Sequence, residues 1–186
     1  MEESETLMTE SGGTSSGPFQ DRRIVYLDDD DIGASAAAYL VQEGVPPLLV
    51  GLSYVAADTL RVAQSPTRGE LICFGKAGPS STLCVARSNG EVIQIVEVDS
   101  GEYEEELVNS SLDQFARSVE AVNDRYPFYS LDCDIEVCEA VSEEIAERLR
   151  RIDPVALEDG RFWDTVVADM MMGDYATEMI GTHAKG

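Results

Sequence analysis

The chain has 186 residues, 44% of them hydrophobic, which suits a single globular domain with its own core. Its 36 Asp and Glu residues outnumber 13 Lys and Arg residues, for a formal net charge of -23 at pH 7. Phosphate backbones and anionic membrane surfaces are bound by clustered Lys and Arg. The charge therefore argues against direct nucleic-acid or membrane binding and predicts a basic protein partner.

The sequence also favours a cytoplasmic location. Its longest apolar stretches, such as Ile32–Val41, are too short for a membrane span, and Met1–Glu5 is acidic where a signal peptide starts with basic residues. Four cysteines are too few for a secreted disulfide scaffold, so reduced structural thiols are expected. They are Cys73, Cys84, Cys133 and Cys138.

The N-terminal part begins with a tail. Residues 1–20 are acidic and then rich in Ser and Gly, a composition that predicts disorder. A short strand is expected at Ile24–Leu27, and the acidic run Asp28–Asp31 can cap a helix from about Ile32 to Glu43. Gly44 ends that helix, and two prolines then prevent its continuation.

The middle of the chain is predicted to be β structure. The extended segments are Leu48–Val50, Ser53–Val55, Glu70–Gly75, Thr82–Arg87 and Glu91–Val98. Between the last two, Asn89-Gly90 is a strong hairpin signal because both residues tolerate positive φ. An acidic loop is expected from Asp99 to Glu106.

The final third has helical periodicity. Apolar spacing predicts helices over about Ser110–Asn123, Ile135–Arg151 and Arg161–Met172, the first capped by Ser110 with Asp113. Residues 174–186 are expected to form a weakly ordered tail, which leaves 21–173 as the folded domain. Strands followed by helices predict a single α+β domain, an antiparallel sheet with helices packed mainly on one face.

The sequence contains no complete motif for metal binding, phosphate binding or catalysis. Aligning Asp28–Gly33 with a calcium-binding loop places Ile32 and Tyr39 at ligand positions. The segment Gly69–Ala77 lacks the spacing and the hydroxyl of a phosphate-binding loop. The only histidine is His183, near the C-terminus. The chain is therefore predicted not to be an enzyme, with no catalytic, cofactor-binding or metal-binding residue.

A cluster of acidic residues around one aromatic residue predicts a candidate docking surface. Glu102–Glu106 surrounds Tyr103 with carboxylates, a pattern that fits electrostatic docking with an aromatic anchor. The alternative is an ordinary solvated loop.

Four stretches, in this order, resemble the SUKH superfamily and most closely its fourth family. They are Gly44-Val45-Pro46; Asn89-Gly90-Glu91-Val92; Asn109-Ser110-Ser111-Leu112 with Phe115; and Asp153-Pro154 with Ala156 and Trp163. Together they span most of the chain. The sequence departs from the family pattern at Ala86-Arg87, where an acidic residue is frequent.

The resemblance implies an α+β immunity protein that binds a cognate bacterial toxin, commonly a nuclease or nucleic-acid deaminase, and motif residues that are structural. Such toxins are basic, so an acidic protein can occlude their cleft. The alternative is a non-catalytic regulatory adaptor or scaffold that binds a housekeeping protein. The predicted partner-binding residues are Glu102, Tyr103, Glu104, Glu105, Glu106, Asp28, Asp29, Asp30 and Asp31.

Overall fold

The computed structural model describes Leu40 and residues 43–51, 53–97 and 102–183. Over these residues six antiparallel strands are followed by helices, which confirms the predicted α+β class. The tail 1–20, the strand at Ile24–Leu27 and the run Asp28–Asp31 lie outside the described residues. Of the helix predicted from Ile32, only Leu40 is described in helical conformation, and it is fully buried.

Each strand pairs with the next strand along the chain, so the sheet order is the chain order. The strands are β1 (Leu48–Leu49), β2 (Tyr54–Ser65), β3 (Gly69–Lys76), β4 (Ser81–Ala86), β5 (Val92–Glu97) and β6 (Tyr103–Asn109). The predicted hairpin joins β4 to β5. It closes where the Ala86 N–H donates to the Glu91 carbonyl at 2.8 Å, and Gly90 has φ 80°.

Two strands are longer than the sequence pattern predicts. β2 continues ten residues beyond Val55, along its partner β3. Residues 103–106, expected in an acidic loop, instead belong to β6, where Glu104, Glu105 and Glu106 lie opposite Val96, Ile95 and Gln94 of β5. Ladder hydrogen bonds and these cross-strand pairs outweigh the weak intrinsic strand preference of glutamate.

The helices follow the sheet as α1 (Leu112–Asn123), α2 (Ile135–Ile152), α3 (Phe162–Met172) and α4 (Thr177–His183). A 3-10 turn at Pro154–Leu157 separates α2 from α3. The first three match the predicted helices. The cap of α1 lies one residue later than expected: Ser111 accepts from the Gln114 N–H at 3.2 Å, and the two side chains bond to each other.

The segment after residue 173 also differs from the expected weakly ordered tail. It contains α4, and Tyr175, Ala176 and Ile180 are buried in the main core. The Thr177 N–H donates to the Tyr129 carbonyl at 2.9 Å. These residues are ordered by contact with the loop before α2 and not by local periodicity.

The main core lies between the helices and one face of the sheet. Phe115 of α1 is at its centre, with ring centroids 5.1 Å from Tyr54 and 5.4 Å from Phe74 in edge-to-face geometry. A smaller apolar cluster (Leu71, Cys84 and Ala86) lies on the other face, and none of the described helices contributes to it. The helices therefore pack on one face, as predicted.

A buried polar network fastens α3 to β6. The indole N–H of Trp163 donates to Asn109 Oδ1 at 2.8 Å, and Asn109 Nδ2 donates to the Asp153 carboxylate at 3.1 Å. Asp153, 1% exposed, also accepts from the backbone N–H of Ser110 at 2.6 Å and its hydroxyl at 3.0 Å. We call these four residues the β6–α3 clamp. Because every member is hydrogen-bonded, the clamp fixes the position of α3 against the sheet.

Candidate functional site

The acidic residues predicted as one docking surface are divided between the two faces of β6. Since successive side chains of a strand point to opposite faces, Glu104 and Glu106 lie on the side of the helices and Glu105 lies on the other side. Glu104 is exposed, whereas Glu105 and Glu106 are half-buried. The strand therefore separates carboxylates that look equivalent in the sequence.

Glu105 is engaged within the protein. Its carboxylate accepts from the Thr67 hydroxyl at 2.6 Å and lies 3.7 Å from Arg68 Nε. Hydrogen bonds from Ser65 and Thr67 lower the pKa of Glu105, and the Arg68 charge contributes to the same shift. Arg68 also forms an ion pair with Glu91. This set of contacts joins the β2–β3 turn to β5 and β6, so Glu105 has a structural role.

Glu106, in contrast, lines a cavity between the sheet and α3. The cavity, which we call the α3 cavity, has a volume of about 290 Å³. Its α3 wall is formed by Phe162, Thr165, Val166 and Asp169, which recur at helical spacing; Gln94 and Glu106 line it from the sheet, and Ser53 and Gly78 from two loops.

The two carboxylates of the α3 cavity have no cationic partner in the described part of the chain. Arg161, which follows the lining residue Gly160, forms an ion pair with Glu158 and donates to the Val155 carbonyl at 2.9 Å. Burial, and then the nearby Asp174 carboxylate, raise the pKa of Asp169. The α3 cavity is therefore a negatively charged and partly desolvated site.

A tyrosine from beyond α3 contacts one of the residues that line this cavity. The hydroxyls of Tyr175 and Ser53 share a hydrogen bond of 2.5 Å. Burial raises the pKa of Tyr175 to about 12, so the phenol is neutral at physiological pH. Tyr175 thus holds the Ser53 side chain at the edge of the cavity without adding charge.

The structure places the other predicted residues as follows. Tyr103 is 66% exposed at the start of β6, and Glu102 just before it is also exposed. The alternation of the strand puts Tyr103 on the same side as Glu105. Asp28, Asp29, Asp30 and Asp31 lie outside the described residues.

Sequence reasoning missed Asp169 because it is 63 positions from Glu106. One local signal exists: Asp169 lies three residues after Val166 and seven after Phe162, so a charge occupies the apolar stripe of α3. A second missed feature is a group of exposed apolar side chains near the start of α2 and the end of α3. It comprises Leu131, Ile135 and Met172, which are 65%, 53% and 72% exposed.

Metal-binding clusters, thiols and long apolar helices would indicate other functional classes. Among the described residues, no group of three or more His, Cys, Asp and Glu side chains is arranged to hold a metal ion. All four cysteines are free thiols, with Cys73 opposite Cys84 across two strands and the sulfurs of Cys133 and Cys138 3.4 Å apart. None of the described helices combines the length and the apolar character needed to cross a membrane.

The fold and the site together define an α+β domain with an acidic candidate binding surface. A family model described as SUKH-4 immunity protein matches residues 25–169, more than half of the chain. The protein therefore belongs to the SUKH-4 immunity protein family, which confirms the resemblance seen in the sequence. Membership supports an immunity function through binding of a cognate toxin, and immunity proteins are generally non-catalytic. Comparisons with curated proteins and with solved structures found no match.

The family motifs have a structural explanation in this fold. Asn109, Asp153 and Trp163, from two of the four motif stretches, meet in the β6–α3 clamp. Pro46, from a third, accepts a hydrogen bond from the Tyr54 hydroxyl at 3.1 Å. These contacts agree with the expectation that the motif residues maintain the fold.

Proposed function

We propose that this immunity protein neutralises a basic toxin domain, a nuclease or a nucleic-acid deaminase, by covering its active-site cleft with the surface around Glu104 and Glu106. Enzymes that act on nucleic acids present Lys and Arg to the phosphates. A protein with net charge -23 is complementary to such a cleft. Bound there, it would compete directly with the nucleic-acid substrate.

The observation that carries the proposal is the difference between neighbouring carboxylates on β6. Glu105 accepts a hydrogen bond from Thr67 and lies 3.7 Å from Arg68 Nε, whereas no described cation pairs with Glu104 or Glu106. Unpaired carboxylates on one face retain their attraction for a basic surface. At physiological salt the Debye length is about 8 Å, so this attraction acts in the last stage of approach and mainly raises the association rate.

The partner is to be identified first. The full chain is used to capture proteins from a lysate of the source cells that contains the toxin domain; bound proteins are eluted with increasing salt and identified by mass spectrometry. We expect one basic nuclease or deaminase domain, bound stoichiometrically and inhibited on binding. Recovery of housekeeping proteins alone would contradict the proposal and favour a regulatory adaptor.

The surface is tested with charge reversal. The double variant Glu104→Lys with Glu106→Lys should lower the association rate and flatten its dependence on salt. The matched control is Glu136→Lys with Glu139→Lys on α2, which changes the net charge equally at two exposed positions away from β6. If both double variants slow association equally, only the overall charge matters and the proposed surface is wrong.

A further inference from the structure

We propose that the α3 cavity receives an arginine side chain of the partner, with Glu106 and Asp169 as its two carboxylate acceptors. This inference rests on the proposed function and deepens it, because it names the chemical group that the surface recognises.

The size of the α3 cavity fits one side chain. Its volume is about 290 Å³, at or below the lower limit of the roughly 300–1,000 Å³ typical of pockets for whole small molecules. Phe162 and Val166 provide an apolar wall along which the methylene groups of an arginine can pack. The carboxylates of Glu106 and Asp169 come from opposite walls, the sheet and α3.

The polar groups suit a guanidinium better than an ammonium. A guanidinium presents five N–H donors in a plane, and the α3 cavity offers two carboxylates and the Thr165 hydroxyl as acceptors. Gln94 donates through Nε2 to the Ser81 hydroxyl at 2.7 Å, which leaves its carbonyl oxygen to accept. Lysine carries three donors and its ammonium group is more strongly hydrated, so it would lose more hydration free energy on entering the α3 cavity.

The two acceptors are held in place before the partner arrives. Glu106 lies three residues before Asn109, and Asp169 lies six residues after Trp163. Since the Trp163 indole donates to Asn109, the β6–α3 clamp fixes the strand and the helix that carry the carboxylates. Such preorganisation reduces the entropy that binding would otherwise cost.

The free protein also bears an electrostatic cost that a cation would remove. Asp169 is half-buried, with Asp174 as a second negative charge nearby, and its pKa is raised accordingly. A carboxylate held in this state gains more from a positive partner than a solvated one does.

The first test needs no toxin. The uniformly ¹⁵N-labelled full chain is titrated with N-acetyl-arginine amide and followed by two-dimensional NMR. We expect saturable shifts of the Gly78 and Gly160 amides, and a rise of about ten- to a hundred-fold in the apparent Kd for Glu106→Gln and for Asp169→Asn, the range for one lost charge-assisted hydrogen bond. Glu105→Gln, the same change on the opposite face of β6, should leave the Kd unchanged.

Ligand controls define what would overturn the assignment. N-acetyl-citrulline amide has the shape of the arginine ligand without its charge and should not saturate the shifts. N-acetyl-lysine amide should bind more weakly than the arginine ligand. The proposal is overturned if the arginine ligand gives no saturable shift, if citrulline or lysine binds as well, or if Glu105→Gln weakens binding as much as Glu106→Gln.

The second test uses the toxin domain identified by capture. Glu106→Gln and Asp169→Asn should each raise its Kd by about ten- to a hundred-fold. If the toxin binds both variants as tightly as the wild type, the assignment of the α3 cavity as an arginine site is wrong, while the immunity function stands. If the arginine ligand binds but no toxin is captured, the α3 cavity is an arginine site and the proposed function fails.

Discussion

Replacing Asp153 in the β6–α3 clamp is expected to destabilise the protein severely. The carboxylate is 1% exposed and accepts three hydrogen bonds, two from Ser110 and one from Asn109. In Asp153→Ala the Ser110 hydroxyl can rotate to another acceptor, but the Ser110 N–H loses its acceptor and Asn109 Nδ2 keeps only its long hydrogen bond of 3.5 Å to the Ser118 hydroxyl. At about 1–3 kcal/mol for each of these two donors, the free energy of unfolding should fall by about 2–6 kcal/mol.

Asp153→Asn provides a graded comparison. An amide oxygen can replace Oδ2 and keep the bonds from Ser110 N–H and Asn109, while its NH₂ group can donate to the rotated Ser110 hydroxyl. Only the charge is lost, and hydrogen bonds to neutral groups are weaker by about 1 kcal/mol each. The loss should therefore be smaller than for Asp153→Ala.

Urea unfolding measured by tryptophan fluorescence is a direct assay. Trp163 is the only tryptophan of the chain and is itself a member of the clamp, so its emission reports the affected contacts. The control Asp113→Ala removes an exposed carboxylate 3.7 Å from Arg117 and should cost less than about 1 kcal/mol. A loss for Asp153→Ala no larger than for this control would refute the reasoning.

Three further predictions concern the site and the core. Asp169→Asn should raise the melting temperature at pH 7, because the pKa of Asp169 is raised in the folded state. Ionisation of this residue therefore destabilises the fold at every pH above its unfolded pKa of about 3.9. The gain should vanish in melts below that pH, and a gain that persists there would contradict the electrostatic cause. Glu105→Gln should lower the melting temperature at pH 7, because the lowered pKa of Glu105 in the folded state means that its ionised form stabilises the fold. This difference should disappear as the pH falls through the folded pKa. A difference that does not depend on pH would point to packing instead. Gly75→Ala would place a Cβ 2.4 Å from Tyr54 Cε2 and 3.0 Å from the Val55 carbonyl oxygen, so chemical unfolding should show a loss of about 1–3 kcal/mol, and an unchanged midpoint would show that the Tyr54 ring moves aside freely.

Local signals in the sequence predicted much of the fold. Asn89-Gly90 predicted the β4–β5 hairpin because few other residue pairs tolerate the backbone of a tight turn. The apolar spacing of Phe115, Val119 and Val122 predicted α1, and all three side chains are fully buried. In these cases the information lies within a few residues of the element that it specifies.

The sequence predicts less well the segments whose conformation depends on a distant part of the chain. The three consecutive glutamates Glu104–Glu106 have weak strand propensity and favour a loop, yet the pairing of β6 with β5 extends them. The region after residue 173 has little periodicity, yet contact with the segment around Tyr129 packs it into the core. Non-local contacts override intrinsic preference where burial and ladder hydrogen bonds supply more free energy.

The sequence by itself determined the α+β class, the large negative charge, the family and the expectation of a basic partner. Only the tertiary structure decided how the acids of β6 are divided between the two faces of the sheet. Glu105 and Glu106 are adjacent in the chain, but the pleat of β6 turns one toward Arg68 and the other into the α3 cavity beside Asp169. The physical reason is that pairing of carboxylates with cations depends on distance and burial, which are fixed only when β6 and α3 pack together.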